Sequence, residues 1–355
     1  MASLSYAQPG LTLKPGAAPS TLVQDLQRDL RSLGYLRSTI DGVFGTGTAR
    51  AVRALQFDLL VNTGSSRSGD GSAPVAIKNY NKGRVSASTG EVDQNLTGCI
   101  ADMLDDPLFP KLPFSSSPAN DNQKALQAIA SLCKDQVPFP FLFGILVQES
   151  GAKHYYEPKA PDADSFVVIG MDTNDAANKD IITSRGYGIG QYTLFHHPPT
   201  QQEMNSFIAD PVKNVTKGIQ DLQDKFKNFV VGKSSGGSAD DRIHDFGDGP
   251  LRLCQFPADD PRYLRDCVTC MKHAGTQNIV AGETPVYAGA SQNFEKTQYH
   301  VGSYTGVPTR SKIPCDWPYA VRRYNGSGPN SYDYQAEVLL RVLNDPRAAS
   351  PADGS

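Results

Sequence analysis

The sequence predicts a mainly α chain of the α+β class, and three observations predict it. The chain has 355 residues, which at roughly 100–200 residues per domain allows two or three domains. Apolar residues recur at helical three- and four-residue steps in its first half, at Leu22, Val23, Leu26, Leu30 and Leu33 and again at Ala51, Val52, Leu55 and Phe57. A stretch carrying Pro107, Pro110, Pro113 and Pro118 with Ser115-Ser116-Ser117 then separates this part from a second helical half.

The balance of 34 Lys+Arg against 37 Asp+Glu gives a formal charge of -3, with no basic excess for nucleic acid and no acidic tail. Gly 32 and Pro 25 are more than an average chain carries, which predicts long, loop-rich insertions. The longest apolar stretch, Phe139 to Val147, is broken by Pro140 and falls short of the ~20 residues of a membrane span. MASLSYAQPGLTLKPG lacks a basic segment and an apolar segment, so no secretory signal is read there, and residues 1–20 are expected as a flexible lead-in.

The first helix has Thr21 as its expected cap and Gly34 as its stop. Ile40-Asp41-Gly42-Val43-Phe44-Gly45 makes a tight turn, and Thr48 is the expected cap of the second helix. LQRDLRSLGYL followed by IDGVFGTGTARAVRALQ resembles the three-helix peptidoglycan-binding repeat found in many cell-wall hydrolases. In that family a shorter echo of the turn follows the second helix, and Ser88 to Thr97 fits that role. Residues 62–85, rich in Gly, Ser and Asn, depart from the pattern as an expected surface loop.

The second half opens with a helix over 123–132 and a mostly apolar helix from Phe141 to Gln148, ending in Glu149-Ser150-Gly151. A carboxyl at the negative end of a buried helix has its charged form disfavoured by the dipole and by the apolar surroundings. Both effects suit a general acid working near neutral pH. The plainer reading is a surface glutamate that ends a helix. Two further motifs follow, Arg185-Gly186-Tyr187-Gly188-Ile189-Gly190-Gln191-Tyr192-Thr193 and Trp317-Pro318-Tyr319-Ala320-Val321-Arg322-Arg323-Tyr324-Asn325-Gly326, the second leading into a helix to Val342.

In order, E-S-G, then G-x-G-Q, then A-V-x-R-Y-N-G resemble the lysozyme-like fold of lytic transglycosylases and goose-type lysozymes. The resemblance implies a lysozyme-like helical domain with a small β-hairpin region and long insertions. It implies Glu149 as catalytic acid, with Ser150, Gln191, Tyr324 and Asn325 along the substrate cleft. Tyr187 and Tyr192 are read as sugar-stacking platforms or as core. Hydrolysis needs help for a water; Asp180, ahead of Asp175, is the candidate second carboxylate, and Thr193 is the alternative holder of that water. A transglycosylase needs only the one glutamate. The gaps between the three motifs exceed those of the minimal fold, and the aspartates between the first two, Asp162 and Asp164 among them, are equally readable as solvated loop residues.

Cys254, Cys267 and Cys270 cluster before His273, and disulfides, a zinc knot or free thiols are all open. Cys99 and Cys133 are candidates for a bond joining the two domains. His196-His197 reads as loop surface. No H-E-x-x-H, phosphate loop or dinucleotide fingerprint occurs, so neither cofactor nor catalytic metal is expected.

The expected organisation is a lead-in at 1–20, a peptidoglycan-binding domain at 21–104, a linker at 105–122, a lysozyme-like domain at 123–345 with an insertion at about 196–310, and a tail at 346–355. The expected activity is cleavage of the N-acetylmuramic acid–N-acetylglucosamine β-1,4 bond, as muramidase or lytic transglycosylase. The partners expected are peptidoglycan glycan strands and an immunity or inhibitor protein, with no nucleic acid and no membrane span. Delivery to the bacterial wall or periplasm would be by phage lysis or a specialised secretion apparatus. The rival readings are a chitinase or chitosanase of the same superfamily and a non-catalytic wall-binding protein.

Overall fold

Ser20, one residue before the expected Thr21, caps the first helix, its hydroxyl accepting from the Val23 N–H at 3.3 Å. That helix, α1 (Thr21–Ser32), turns Val23, Leu26 and Leu30 fully inward. Gly34, at φ 79°, takes the left-handed backbone that ends it. The second helix, α2 (Thr46–Val61), starts after Gly45 rather than at Thr48. Thr48 lies inside its first turn, donating to Val43 O and accepting from Gln27.

The computed structural model describes residues 4–66, 71–158, 164–231, 252–273, 314–326 and 330–349. Asp162, the Gly/Ser-rich 232–237, most of the expected insertion beyond 231 and the tail beyond 349 lie outside these residues. Further along come α3 (Gln94–Asp105), α4 (Pro118–Cys133) and α5 (Phe139–Ser150). The strands are β1 (Ile169–Asp172), β2 (Ser184–Tyr187) and β3 (Tyr192–Leu194). The later helices are α6 (Pro211–Lys225), α7 (Cys267–His273), α8 (Trp317–Tyr324) and α9 (Asn330–Asn344). The architecture is mainly helical with one small antiparallel sheet in the order β1-β2-β3. Among the described residues no helix is long and apolar enough to cross a membrane.

The chain divides into two compact units, the first Met1–Asn122 with Lys153–Asn214, the second Gln123–Ala152 with Val215–Ser355. In the first unit one device is used twice. Gln27 accepts from the Asp41 and Gly42 N–H groups at 3.0 and 2.7 Å and donates to Asp41, Val43 O and Thr48. Gln56 accepts from the Gly90 N–H at 2.8 Å and donates to Thr89 and Glu91 O. Each glutamine holds a glycine turn ahead of a helix, and the second turn leads into α3 through its Asp93 cap. The turn at 88–97 is therefore a physical repeat of the first.

Residues 4–20 are packed rather than a flexible lead-in. Tyr6 is buried with its hydroxyl donating to Asp29 at 2.5 Å, and Leu13 and Val92 exchange backbone hydrogen bonds. The expected loop at 62–85 contains a 3-10 turn, Ile77–Tyr80, which buries Ile77 and Tyr80. Within the expected linker at 105–122, Phe109 is fully buried, Leu112 N–H donates to Ser32 O, and α4 already begins at Pro118.

The sheet segment is built onto this helical module. Arg31, 0% exposed, pairs with Asp164 at 2.9 Å, donates to Leu36 O at 2.6 Å and lies 4.3 Å from the Tyr156 ring centroid. Arg185 of β2 donates to Gly34 O at 2.8 Å. His196 and His197, expected at the surface, are buried. His196 pairs with Glu203 at 2.9 Å, and the His197 ring meets Tyr35 and Phe109 edge-on.

In the second unit α5 is apolar on every side, and Phe141, Leu142, Ile145 and Leu146 are fully buried. It crosses α9 at Gly144, where an added Cβ would lie 3.0 Å from Val342 Cγ2 and 3.1 Å from Val338 O. Only glycine lets the helices approach so closely. α8 is held to α9 by Gln335, whose Nε2 donates to Pro318 O at 2.8 Å, and Trp317 stacks on Phe226 at 4.1 Å.

Candidate functional site

Helix α5 carries the chain's best candidate acid to a defined end. Gly151, at φ 67°, stops the helix, and its N–H donates to Val147 O at 2.9 Å. Gln148, Glu149 and Ser150 form the first polar run after eight buried residues, Phe139 to Leu146. Glu149 is half-buried, and its Oε1 accepts from the Tyr334 hydroxyl of α9 at 2.6 Å. An O–H···O bond of this length lies at the short end of the usual range. Next to it, Arg341 donates to Gln148 Oε1 at 2.7 Å, a second tie between α5 and α9.

Tyr334 is buried and stays protonated. Burial pushes its phenol well above the usual value, and the Glu149 carboxylate, both as a charge and as hydrogen-bond acceptor, pushes it further. Tyr324 and Asp221 add smaller effects in the same direction, so three groups act on Tyr334. Tyr324 is half-buried, and its hydroxyl lies 3.7 Å from where a Cβ on Gly218 of α6 would be, beside Leu142 and Leu146 of α5. Asp221 is one turn further along α6. Burial raises its carboxyl above the usual range, while Lys225, at 4.0 Å, works against that shift. Asp221 and Tyr334 carried no motif in the sequence; helical spacing from Gly218 and from the AVRRYNG segment was the only available signal.

Asn325 caps α8 at the surface, and the Ser150 hydroxyl donates back to Leu146 O at 3.1 Å. The second unit thus brings Glu149 and Tyr324 to one neighbourhood around Tyr334.

Gln191, Tyr187, Tyr192, Thr193 and Asp180 belong to the first unit. Gln191, at φ 49°, folds its amide across the sheet: Nε2 donates to Gly188 O at 2.7 Å, and Oε1 lies 2.3 Å from where a Cβ on Gly170 would be. Gly170 and Gly186 are register partners, and their lack of a Cβ makes room for this side chain. Underneath, Asn214 accepts from Gly190 N–H and donates to Tyr187 O and Phe207 O. His154 accepts from Ile189 N–H, and its other ring nitrogen lies 2.9 Å from Ile208 O.

Tyr187 is 0% exposed and is no stacking platform; its ring belongs to the core because every residue of β2 is buried. Tyr192 is partly exposed and packs edge-on against Phe207, and Thr193 is exposed. Asp180 sits in the loop between β1 and β2 and pairs with Arg53 of α2 at 2.9 Å. Among the described residues no group of three or more His, Cys, Asp or Glu side chains could hold a metal ion. All six cysteines are free thiols in the structure.

The first unit also contains a cavity of about 180 Å³ between the C-terminal half of α2 and the strands. Asp58, Asn62, Arg185, His196 and the exposed ring of Phe195 line it.

Residues 19–59, covering α1, the glutamine-held turn and most of α2, match the family model of a peptidoglycan binding domain. The match supports cell-wall binding by this part of the chain. No curated protein and no solved structure gives a significant match to the chain.

Proposed function

We propose that the chain is a peptidoglycan-degrading glycosidase. Its N-terminal module holds the bacterial wall, and Glu149 protonates the glycosidic oxygen of the N-acetylmuramic acid–N-acetylglucosamine β-1,4 bond. The observation that carries this reading is the Tyr334 hydroxyl at 2.6 Å from Glu149 Oε1, at the end of an otherwise apolar helix. The contact orients the carboxyl at the end of the helix, where its proton can pass to a leaving group. Tyr324, on α8, adds a polar hydroxyl close to α5.

After leaving-group departure the positive charge on the sugar is met either by water or by the sugar's own 6-hydroxyl. For the water route Asp221 of the second unit is a candidate carboxylate, because it acts on Tyr334 together with Glu149. Asp180 has Arg53 as its ion-pair partner in the first unit. The wall-binding module contributes by raising the local concentration of glycan at the second unit, the usual gain from tethering two weak binders.

The test is product analysis of purified peptidoglycan after digestion by the full chain. Reducing muropeptides support a muramidase and anhydro-muropeptides a transglycosylase. Activity on chitin alone, or undigested wall, contradicts the reading.

A further inference from the structure

Four thiols converge on one apolar pocket of the second unit, away from Glu149 and from any role given above. Cys254, Cys267, Cys270 and Cys315 line it together with Pro138, Phe141, Met271 and Trp317. Three segments bring them there. Cys267 and Cys270 are three apart on α7, which puts both on one helical face. The other two segments are tied to each other: Asp316 N–H donates to Arg252 O at 2.8 Å, Arg252 N–H donates to the Asp316 carboxylate at 2.9 Å, and the two side chains form an ion pair. That clamp holds Cys254 and Cys315 on neighbouring strands of chain. Gln255, next to Cys254, donates from Nε2 to the Cys270 sulfur at 2.7 Å.

The surroundings disfavour the thiolates of Cys267, Cys270 and Cys315. Burial pushes Cys270 up to about 11 and Cys315 up to about 12, and it pushes Cys267 well above the usual thiol value. Among the neighbouring thiols, Cys315 acts most on Cys267, and Cys254 most on Cys270. A tetrathiolate zinc site would require four deprotonated sulfurs in this apolar pocket, and no metal-holding group occurs among the described residues.

We propose that this pocket is a paired-disulfide site, in which Cys254 bonds to Cys270 and Cys267 bonds to Cys315 when the chain meets a disulfide-bearing oxidant. Cys254 is the only one of the four that is not buried, and it reacts first. Its thiolate attacks the oxidant's S–S bond and expels one oxidant thiol. The Cys270 thiolate then attacks the mixed disulfide at Cys254 and expels the second oxidant thiol. Each pair of cysteines thus loses two protons and two electrons, and one oxidant disulfide takes them up to become two thiols. Cys267 and Cys315 close by the same exchange. The bonds would staple both segments to α7 and restrict the unfolded chain.

The test uses the reduced full-length chain treated with oxidised glutathione at roughly pH 8, then alkylated under denaturing conditions and weighed. Alkylatable thiols should fall from six to two, the two being Cys99 and Cys133, and the melting temperature should rise by about 5 °C or more. Cys254→Ser should release one extra thiol at Cys270, and Cys315→Ser one at Cys267. Should either variant fold poorly, fragmenting the wild-type disulfide peptides between Cys267 and Cys270 reads the same pairing. Six free thiols after oxidation, lasting glutathione adducts, or stoichiometric zinc retained through gel filtration would overturn the site. A thiol released at the other helix cysteine would overturn the pairing.

Discussion

The Tyr334 hydroxyl donates to Glu149 Oε1 at 2.6 Å, joining the last turn of α5 to the first half of α9. Tyr334 is buried, so this bond is shielded from water and orients the carboxyl. Tyr334→Phe keeps the ring and removes the donor. Removing one partner of a buried hydrogen bond costs about 1–3 kcal/mol. Wall-degrading activity should therefore drop roughly tenfold or more, while the circular dichroism spectrum stays that of the wild type. Unchanged turnover in this variant would remove Tyr334 from the account.

The buried pair Arg31–Asp164, at 2.9 Å, joins the helical module to the sheet segment in the first unit. Removing one partner strands the other charge in the interior, which typically costs about 3–5 kcal/mol. Asp164→Ala should lower the unfolding free energy, measured by denaturant titration, by that amount, and Arg31→Met with Asp164→Leu should recover most of the loss. A single variant as stable as wild type would show that the pair is not buried in solution.

Acid should destabilise the first unit through its histidines. Burial holds His154 down at about 4, against an ordinary value of 6.5, and holds His197 well below 6.5 as well. Between those values the unfolded chain takes up protons that the folded chain refuses. Stability from these groups is complete above pH ~6.5 and is lost as pH falls toward ~4, with His154 alone contributing roughly 3 kcal/mol over that window. His197→Phe retains the edge-on packing on Tyr35 and Phe109 and removes one titrating ring. Its urea midpoint should change less between pH 7 and pH 5 than that of the wild type; an equal change would contradict the assignment.

Much of the first unit was legible because its signals are local. The leucine spacing of α1, the Asp41-Gly42 turn and the echo at 88–97 each lie within a few residues of the atoms they organise. Glu149 was legible for the same reason, as the first acid after an apolar run. Long-range pairing was not. Nothing near Tyr6 announces Asp29, nothing near Asp164 announces Arg31, and so the N-terminal segment read as loose and the aspartate as solvated. Alternation of glycine with bulky residues suggested ligand access around Tyr187, whereas the glycines accommodate the Gln191 side chain. Tyr334 and Asp221 were missed because helical neighbours become visible only once α6, α5 and α9 are in place.

Phe195 exposes its ring at the rim of the cavity beside α2. An exposed aromatic next to polar groups suits a glycan or peptide of the wall. Phe195→Ser should weaken pull-down on insoluble peptidoglycan about fivefold or more without changing the melting temperature. Equal binding would place the wall contact elsewhere on the first unit.

Glu149→Gln preserves the shape of the side chain and removes the transferable proton. Release of soluble muropeptides from purified wall, measured for this variant beside the wild type, reads the role of the Glu149 proton. The account predicts a loss of at least about a hundredfold, with wall binding retained through residues 19–59. Release at the wild-type rate would contradict Glu149 as the acid.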